Sequence, residues 1–351
     1  MCRSVVANLH RSSLMGGTQV RNKIIKSLAA TLMLVAFTTG GQAQEVVLKA
    51  QTALPTTHDL SISFLKGFVD RINEAGKGVV QIDYKGGPEV TPQAKAAPAL
   101  QRGVFDILHT PAAYHTGIVP QGRGLMATNL KPSEYRANGA FDMLAPNWEE
   151  KLNAKILAVG ETGAQFYLYL VNEPKLNSDG LLDLTGIKIR TTGAYRPLVE
   201  ALGGTPVQTS AGEVYTALER GLVEGFGWPS VGLNSQGLAK LVKYRIDPPF
   251  YFLANVVLIN LDTWNALPKA AQDLLAKEGA AYEEASVAHI IEAGKVDAAA
   301  VHESGVEVFA LPPEGAKKYL EIAYKVMWDQ VAAKLSPEEV AAMKEKLYKA
   351  N

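Results

Sequence analysis

Apolar and polar positions along this 351-residue chain follow two rhythms in turn, one of period two and one of helical period. Residues 46–50 form a short apolar run that reads as a strand. Ile62, Leu65, Phe68, Val69 and Ile72 then recur at helical spacing, predicting an amphipathic helix that stops near Gly76. Val80, Ile82 and Tyr84 alternate with Val79, Gln81 and Asp83, as a strand with two unlike faces requires. A helix over 94–102 ends at Gly103, and 105–108 is the next strand. Such strand–helix alternation implies a sheet with parallel neighbours and helices on its faces.

The pattern restarts further on. Residues 156–159, 167–171 and 187–190 read as strands, and a helix over 195–202 ends in Gly203 and Gly204. Ser210 and Glu213 have the spacing of a capping box and open a helix that places Val214, Ala217 and Leu218 on one face. Gly225-Phe-Gly-Trp-Pro-Ser230 reads as a turn, and 256–261 as a strand. From Lys269 the chain is helical and alanine-rich, with Ser336-Pro-Glu-Glu opening the last helix. The length exceeds one ordinary core. No flexible linker separates the halves. The expectation is therefore an α/β fold of two lobes, with mixed, mainly parallel sheets, hinge strands that cross between lobes and a helical C-terminal region. The boundaries expected are 44–162 plus 255–296 for lobe I and 163–254 plus 297–351 for lobe II.

Composition changes the picture mainly at the N-terminus. Arg21, Lys23 and Lys26 precede an apolar stretch over 28–37, and Gly41 and Ala43 stand before Gln44. This is the pattern of a secretory signal peptide over 1–43, cut before Gln44, with Met15 as an alternative start. The expected location is the periplasm. The segment carries five bases and no acid; thirty-five bases less these five leaves thirty against thirty-five acids. A mature charge near −5 lacks the basic footprint of a nucleic-acid binder. The single cysteine, Cys2, lies in the same segment, so the mature chain is expected to hold no disulfide and no thiolate site.

Motifs of catalysis are missing: there is no G-x-S-x-G, no phosphate-binding P-loop and no H-E-x-x-H. His58, His109, His115, His289 and His302 lack metal-ligand spacing; His109 draws attention because it ends a strand where α/β proteins place ligands. One segment has a specific chemical promise. In Ile187-Lys-Ile-Arg190 the isoleucines face one side and the basic residues the other, which puts Arg190 at the carboxyl end of its strand before Thr191-Thr-Gly193. A guanidinium there can hold a carboxylate by two parallel hydrogen bonds. Pairing with a neighbouring acid on the surface is the plainer alternative.

The sequence resembles the periplasmic substrate-binding proteins of tripartite ATP-independent (TRAP) transporters, of the DctP type, over nearly the whole mature chain. The resemblance rests on Asp183-Leu-Thr-Gly-Ile-Lys-Ile-Arg190, on Leu202-Gly-Gly-Thr-Pro206 and on Gly212-Glu-Val-Tyr-Thr-Ala-Leu-Glu-Arg-Gly-Leu-Val-Glu-Gly225. Leu100-Gln-Arg-Gly-Val-Phe-Asp-Ile107 and Trp264-Asn-Ala-Leu-Pro268 add to it. It implies a hinged, non-enzymatic solute-binding protein that closes on a small organic acid and delivers it to membrane permease subunits. It also implies that Arg190 anchors the ligand carboxylate. The chain departs from the pattern at Phe226-Gly-Trp-Pro229, where many members carry an asparagine, and at Gln165, where many carry a second arginine. The expected pocket has Arg190 as anchor, Gln165 as an orienting amide, Phe226 and Trp228 as an apolar wall, and Tyr114 closing from the first lobe, with His58 and Glu89 on loops that could face the cleft. In keto-acid-binding relatives a Glu-Trp pair helps hold a metal with the ligand; no glutamate adjoins Trp228 here, so the resemblance implies no metal, and no cofactor is expected. The rival readings are the binding protein of an ATP-driven importer and, further off, a periplasmic enzyme.

Overall fold

A computed structural model describes residues 45–128 and 130–348. The expected signal segment and Cys2 lie outside the described residues. The chain first lays down β1 (Val46–Thr52), β2 (Val80–Gly86), β3 (Ile107–Pro111) and β4 (Ala154–Gly160). It then crosses over at 161–165 into β5 (Phe166–Leu170) and a small hairpin of β6 (Lys175–Leu176) and β7 (Leu182–Asp183). Next come β8 (Lys188–Thr191), β9 (Thr205–Gln208), β10 (Gly225–Pro229) and β11 (Tyr244–Asp247). A second crossing returns it to β12 (Asn255–Asn260), and the helix Lys269–Glu303 leads to β13 (Glu307–Ala310).

Two sheets result, one per lobe, in the orders β2-β1-β3-β12-β4 and β13-β11-β5-β10-β8-β9. Among the described residues, five of the nine pairings within them are parallel, and each of the four antiparallel ones involves β5 or β12. Those are the strands entered just after a crossing. The mixture has a simple cause: a chain that arrives from the other lobe enters its new sheet from the opposite end. The crossing segments bond to each other as a ribbon, through Phe166 N–H to Tyr251 O at 2.9 Å, Phe250 N–H to Phe166 O at 3.0 Å and Leu253 N–H to Ala164 O at 2.8 Å. That ribbon is the hinge region.

Helices tie the lobes to one another. Lys269–Glu303 has 35 residues, which at 1.5 Å each makes a strut of roughly 50 Å. Leu275 and Tyr282 near its start pack in a core of the first lobe, and Ile290 and Val301 near its end in that of the second. In Pro313–Ala332 the buried residues Gly315, Tyr319, Ala323, Met327 and Val331 fall every fourth position, a single stripe against the body. The last helix, Pro337–Leu347, returns to the first lobe, where Val340, Met343 and Leu347 join its core. Ser336 starts it as expected: Glu339 N–H donates to the serine hydroxyl at 3.2 Å and Ser336 N–H to the Glu339 carboxylate at 3.0 Å. Among the described residues no helix is long and apolar enough to cross a membrane.

Residues 225–229 differ from the expected turn. They form β10, hydrogen-bonded on both sides within its sheet. Glycine serves close packing here: a Cβ on Gly225 would stand 2.6 Å from Tyr169 O, and one on Gly227 would stand 2.1 Å from the ring of Tyr195. The first helix also departs from regularity, with a π-helical turn at Leu65–Val69.

Candidate functional site

The parallel strands β8 and β10 end side by side, and the lobes meet over that edge. Along β8, Lys188 is exposed while Ile189 and Arg190 are buried on opposite faces. Arg190 is only 2% exposed. Its Nη1 donates to Gly227 O at 3.3 Å and its Nη2 to Thr209 O at 2.8 Å, while Nε has no partner. Among the described residues no carboxylate forms an ion pair with it. The guanidinium carbon stands 5.7 Å from the centroid of the Trp228 ring, within reach of a cation–π attraction. Burial pulls the Arg190 pKa below its ordinary value, with Tyr114 and Tyr195 nearby opposing the shift. Arginine nonetheless stays charged in proteins. The charge is therefore buried and held by carbonyl dipoles, with Glu213 acting on it only at a distance and without an ion pair.

Around it lies a small cavity. Tyr114 reaches in from the turn after β3, its hydroxyl interacting with Arg190. Trp228 is fixed by its indole N–H, which donates to Val231 O at 3.1 Å. Against Trp228 rests His58, ring centroids 5.6 Å apart. His58 caps the first helix: its Nδ1 accepts Leu60 N–H at 3.2 Å, which leaves the proton of the neutral ring on Nε2. Burial lowers its pKa to about 4, despite the opposing pull of Asp59, so the ring is neutral near pH 7. Leu54, Leu60 and Leu253 supply apolar wall. The cavity volume is about 40 Å³.

Four of the residues expected from sequence are thus brought together: Arg190, Trp228, Tyr114 and His58. Three are not. Gln165 belongs to the hinge ribbon, paired with Phe252, and its side chain faces an outer hollow beside Lys317 and Tyr324. Successive residues of extended backbone point to opposite sides, and it is Phe166, one position on, that turns into the cavity. Phe226 lies two residues deeper along β10 than Trp228, fully buried and stacked on Tyr169 at 5.4 Å, so it backs the indole without reaching the cavity. Glu89 folds onto its own loop, where its carboxylate accepts Gly87 N–H at 2.6 Å, and borders a separate hollow with Pro55 and Gly212.

Tyr195 is the functional candidate that sequence reasoning missed. Its ring lies against Gly227 and stacks on Phe166 at 4.9 Å. Its hydroxyl is buried without a partner, and burial holds it protonated by pushing its pKa well up, against the influence of Arg190. The sequence carried a usable hint, since Tyr195 follows the Thr191-Thr-Gly193 turn at the end of the arginine strand.

His109 has a structural occupation. Its Nε2 pairs with Glu161 at 3.2 Å, both fully buried, and Glu161 also accepts hydrogen bonds from Ser63 at 2.8 Å and from the Tyr282 hydroxyl. This network joins β3, the first crossing and the long helix. Among the described residues, no three His, Cys, Asp or Glu side chains cluster closely enough to hold a metal ion. The cavity itself presents a cation, two phenols, an imidazole and one threonine hydroxyl, and no acid.

Comparison with known proteins bears on the family and the fold. A model of the family "Bacterial extracellular solute-binding protein, family 7" (DctP) matches residues 52–335. A monocarboxylate 2-oxoacid-binding periplasmic protein of Nostoc is 28% identical over 216 residues, 58% of this chain and 57% of that protein. The chain spans little more than half the length of the curated relatives it matches first. Among solved structures, a TRAP transporter solute-binding protein of Bordetella bronchiseptica, with calcium and picolinate bound, superposes with a TM-score of 0.76 at 19% identity, over 87% of this chain and 92% of that one. A TRAP periplasmic solute-binding protein of Haemophilus influenzae with bound L-gulonate gives 0.72 at 19% identity, over 86% and 99%. These likenesses show the two-lobed fold.

Proposed function

Given that the chain belongs to the DctP family of bacterial extracellular solute-binding proteins, we propose that it captures a small organic carboxylate at Arg190 in the periplasm and passes it to a TRAP membrane permease. The single observation that carries the reading is the buried Arg190 guanidinium, with Nε unpaired and, among the described residues, no carboxylate in an ion pair with it. A buried charge is stabilised by a counter-charge with good hydrogen-bond geometry and is costly without one. A ligand carboxylate supplies that partner.

Closure follows from where the groups sit. Arg190 and Trp228 come from the second lobe, and Tyr114 and His58 from the first. Further bonds cross between lobes at the rim: Arg123 Nη1 donates to Gly193 O at 3.3 Å and the Ser235 hydroxyl to Asp59 at 2.8 Å. A ligand that touches both lobes favours the closed arrangement by its differential contacts. In this reading the first lobe comprises 45–162, 255–296 and the last helix, the second 163–254 and 297 to about 336, and the hinge is the ribbon of crossing segments. The closed face is the surface offered to the permease, and no bond is made or broken.

Calorimetry on Arg190→Ala tests the anchor. Truncating one partner of a buried charge pair costs about 2–5 kcal/mol, so affinity for the bound acid should fall roughly 30-fold or more. Arg190→Lys keeps the charge but not the planar fork and should recover only part of the loss. Unchanged affinity in a folded Arg190→Ala protein removes Arg190 from the site.

A further inference from the structure

We infer that the site selects compact monocarboxylates with an apolar body and one further hydrogen-bond acceptor, and that Tyr195 and His58 are the residues that set this preference. The inference rests on the carboxylate reading above and narrows it. It follows from an inventory of what the cavity offers after internal bonds are counted. Arg190 Nε–H is unspent, and so is the Tyr195 hydroxyl. Both side chains line the same cavity, where their donors are available to one carboxylate. His58 lines the same cavity, and with its Nδ1 occupied by Leu60 N–H its remaining donor is Nε2–H. The Trp228 N–H is committed to Val231 O, and the Thr192 hydroxyl already accepts Ala194 N–H at 3.4 Å.

The cavity thus offers mainly donors, and neither a carboxylate nor a side-chain amide lines it. A polyhydroxy acid, such as the L-gulonate held by the Haemophilus protein, brings several hydroxyls that need acceptors. Each one buried unpaired costs on the order of ten-fold in affinity. A dicarboxylate brings a second negative charge, and the cavity holds one cation. The other guanidinium of the region, Arg123, lines a neighbouring cleft that shares Tyr114 and Thr192 as wall, and it is bonded to Gly193 O. His58 meets a second acceptor as a neutral donor, which suits a keto or ether oxygen better than a second carboxylate. The remaining lining is leucine, proline, alanine and aromatic surface.

The test is calorimetric titration with four sodium salts: 3-methyl-2-oxobutanoate, 3-methylbutanoate, succinate and gluconate. The keto acid should bind tightest, with succinate and gluconate weaker by about 100-fold or more. Tyr195→Phe should weaken both monocarboxylates about ten-fold. His58→Asn keeps a good helix cap and should weaken only the keto acid, erasing its advantage over 3-methylbutanoate. Melting curves confirm that both variants are folded. If succinate or gluconate binds as well as the keto acid, and Arg190→Ala abolishes that binding, the preference proposed here is wrong while the carboxylate reading stands. If no acid binds, or binding ignores Arg190→Ala, the carboxylate reading itself falls. Should Tyr195→Phe and His58→Asn leave all four affinities unchanged, neither residue sets specificity.

Discussion

Arg190 and His58 answer burial in opposite ways. Arginine keeps its charge under burial, so Arg190 retains a need for an anion. Histidine gives its charge up: burial takes His58 from 6.5 to about 4, and His115, packed beside Trp148, likewise to about 4. The unfolded chain binds protons that the folded chain refuses between those values, so stability should fall as pH drops from about 6.5 toward 4. At pH 5 each histidine should cost about 2 kcal/mol relative to pH 7. Urea unfolding at the two values reads this directly, and equal midpoints would contradict the neutral assignment. The strand alternation of Ile187 to Arg190 foretold the position of the arginine, because a period of two decides which side chains share a face. It could not foretell Gln165, because one residue separates facing the cavity from facing away, and the point where β5 begins depends on its pairing partners.

Among the elements, β10 shows how a site is built from backbone. Gly227 offers its carbonyl to Arg190 on one side and seats the Tyr195 ring on the other. Gly227→Ala places a methyl 2.1 Å from that ring, an overpacking expected to lower stability by about 3 kcal/mol and to weaken carboxylate binding as Tyr195 shifts. Denaturant unfolding with calorimetry checks both; a variant as stable and as tight as the parent would mean that the ring has another seat. Most helices and strands were legible from periodicity and caps, as with Ser336 and Glu339. β10 was not, because Gly, Pro and Ser within six residues are the residues of a turn and only tertiary contact explains two glycines in a strand. The balance of parallel and antiparallel pairing was hidden for a related reason. It depends on where the chain crosses between lobes, and β5 and β12 look like any other apolar run.

For the molecule as a whole, the hinge ribbon and the long helix hold two lobes whose facing groups form one cavity. Leu54, Leu60 and Met126 share an apolar cluster with Phe166, Trp228 and Leu253. In the proposed reading, an acid that touches both lobes favours the arrangement that brings the His58 imidazole and Tyr114 phenol to the Arg190 guanidinium. A crystal structure of the protein grown with its tightest-binding acid tests this most directly. The account predicts a carboxylate oxygen within about 2.9 Å of the Arg190 guanidinium, with Tyr195 on the same anion and both lobes in contact with the ligand. An acid lodged elsewhere, with Arg190 still satisfied by Gly227 and Thr209 alone, would contradict it.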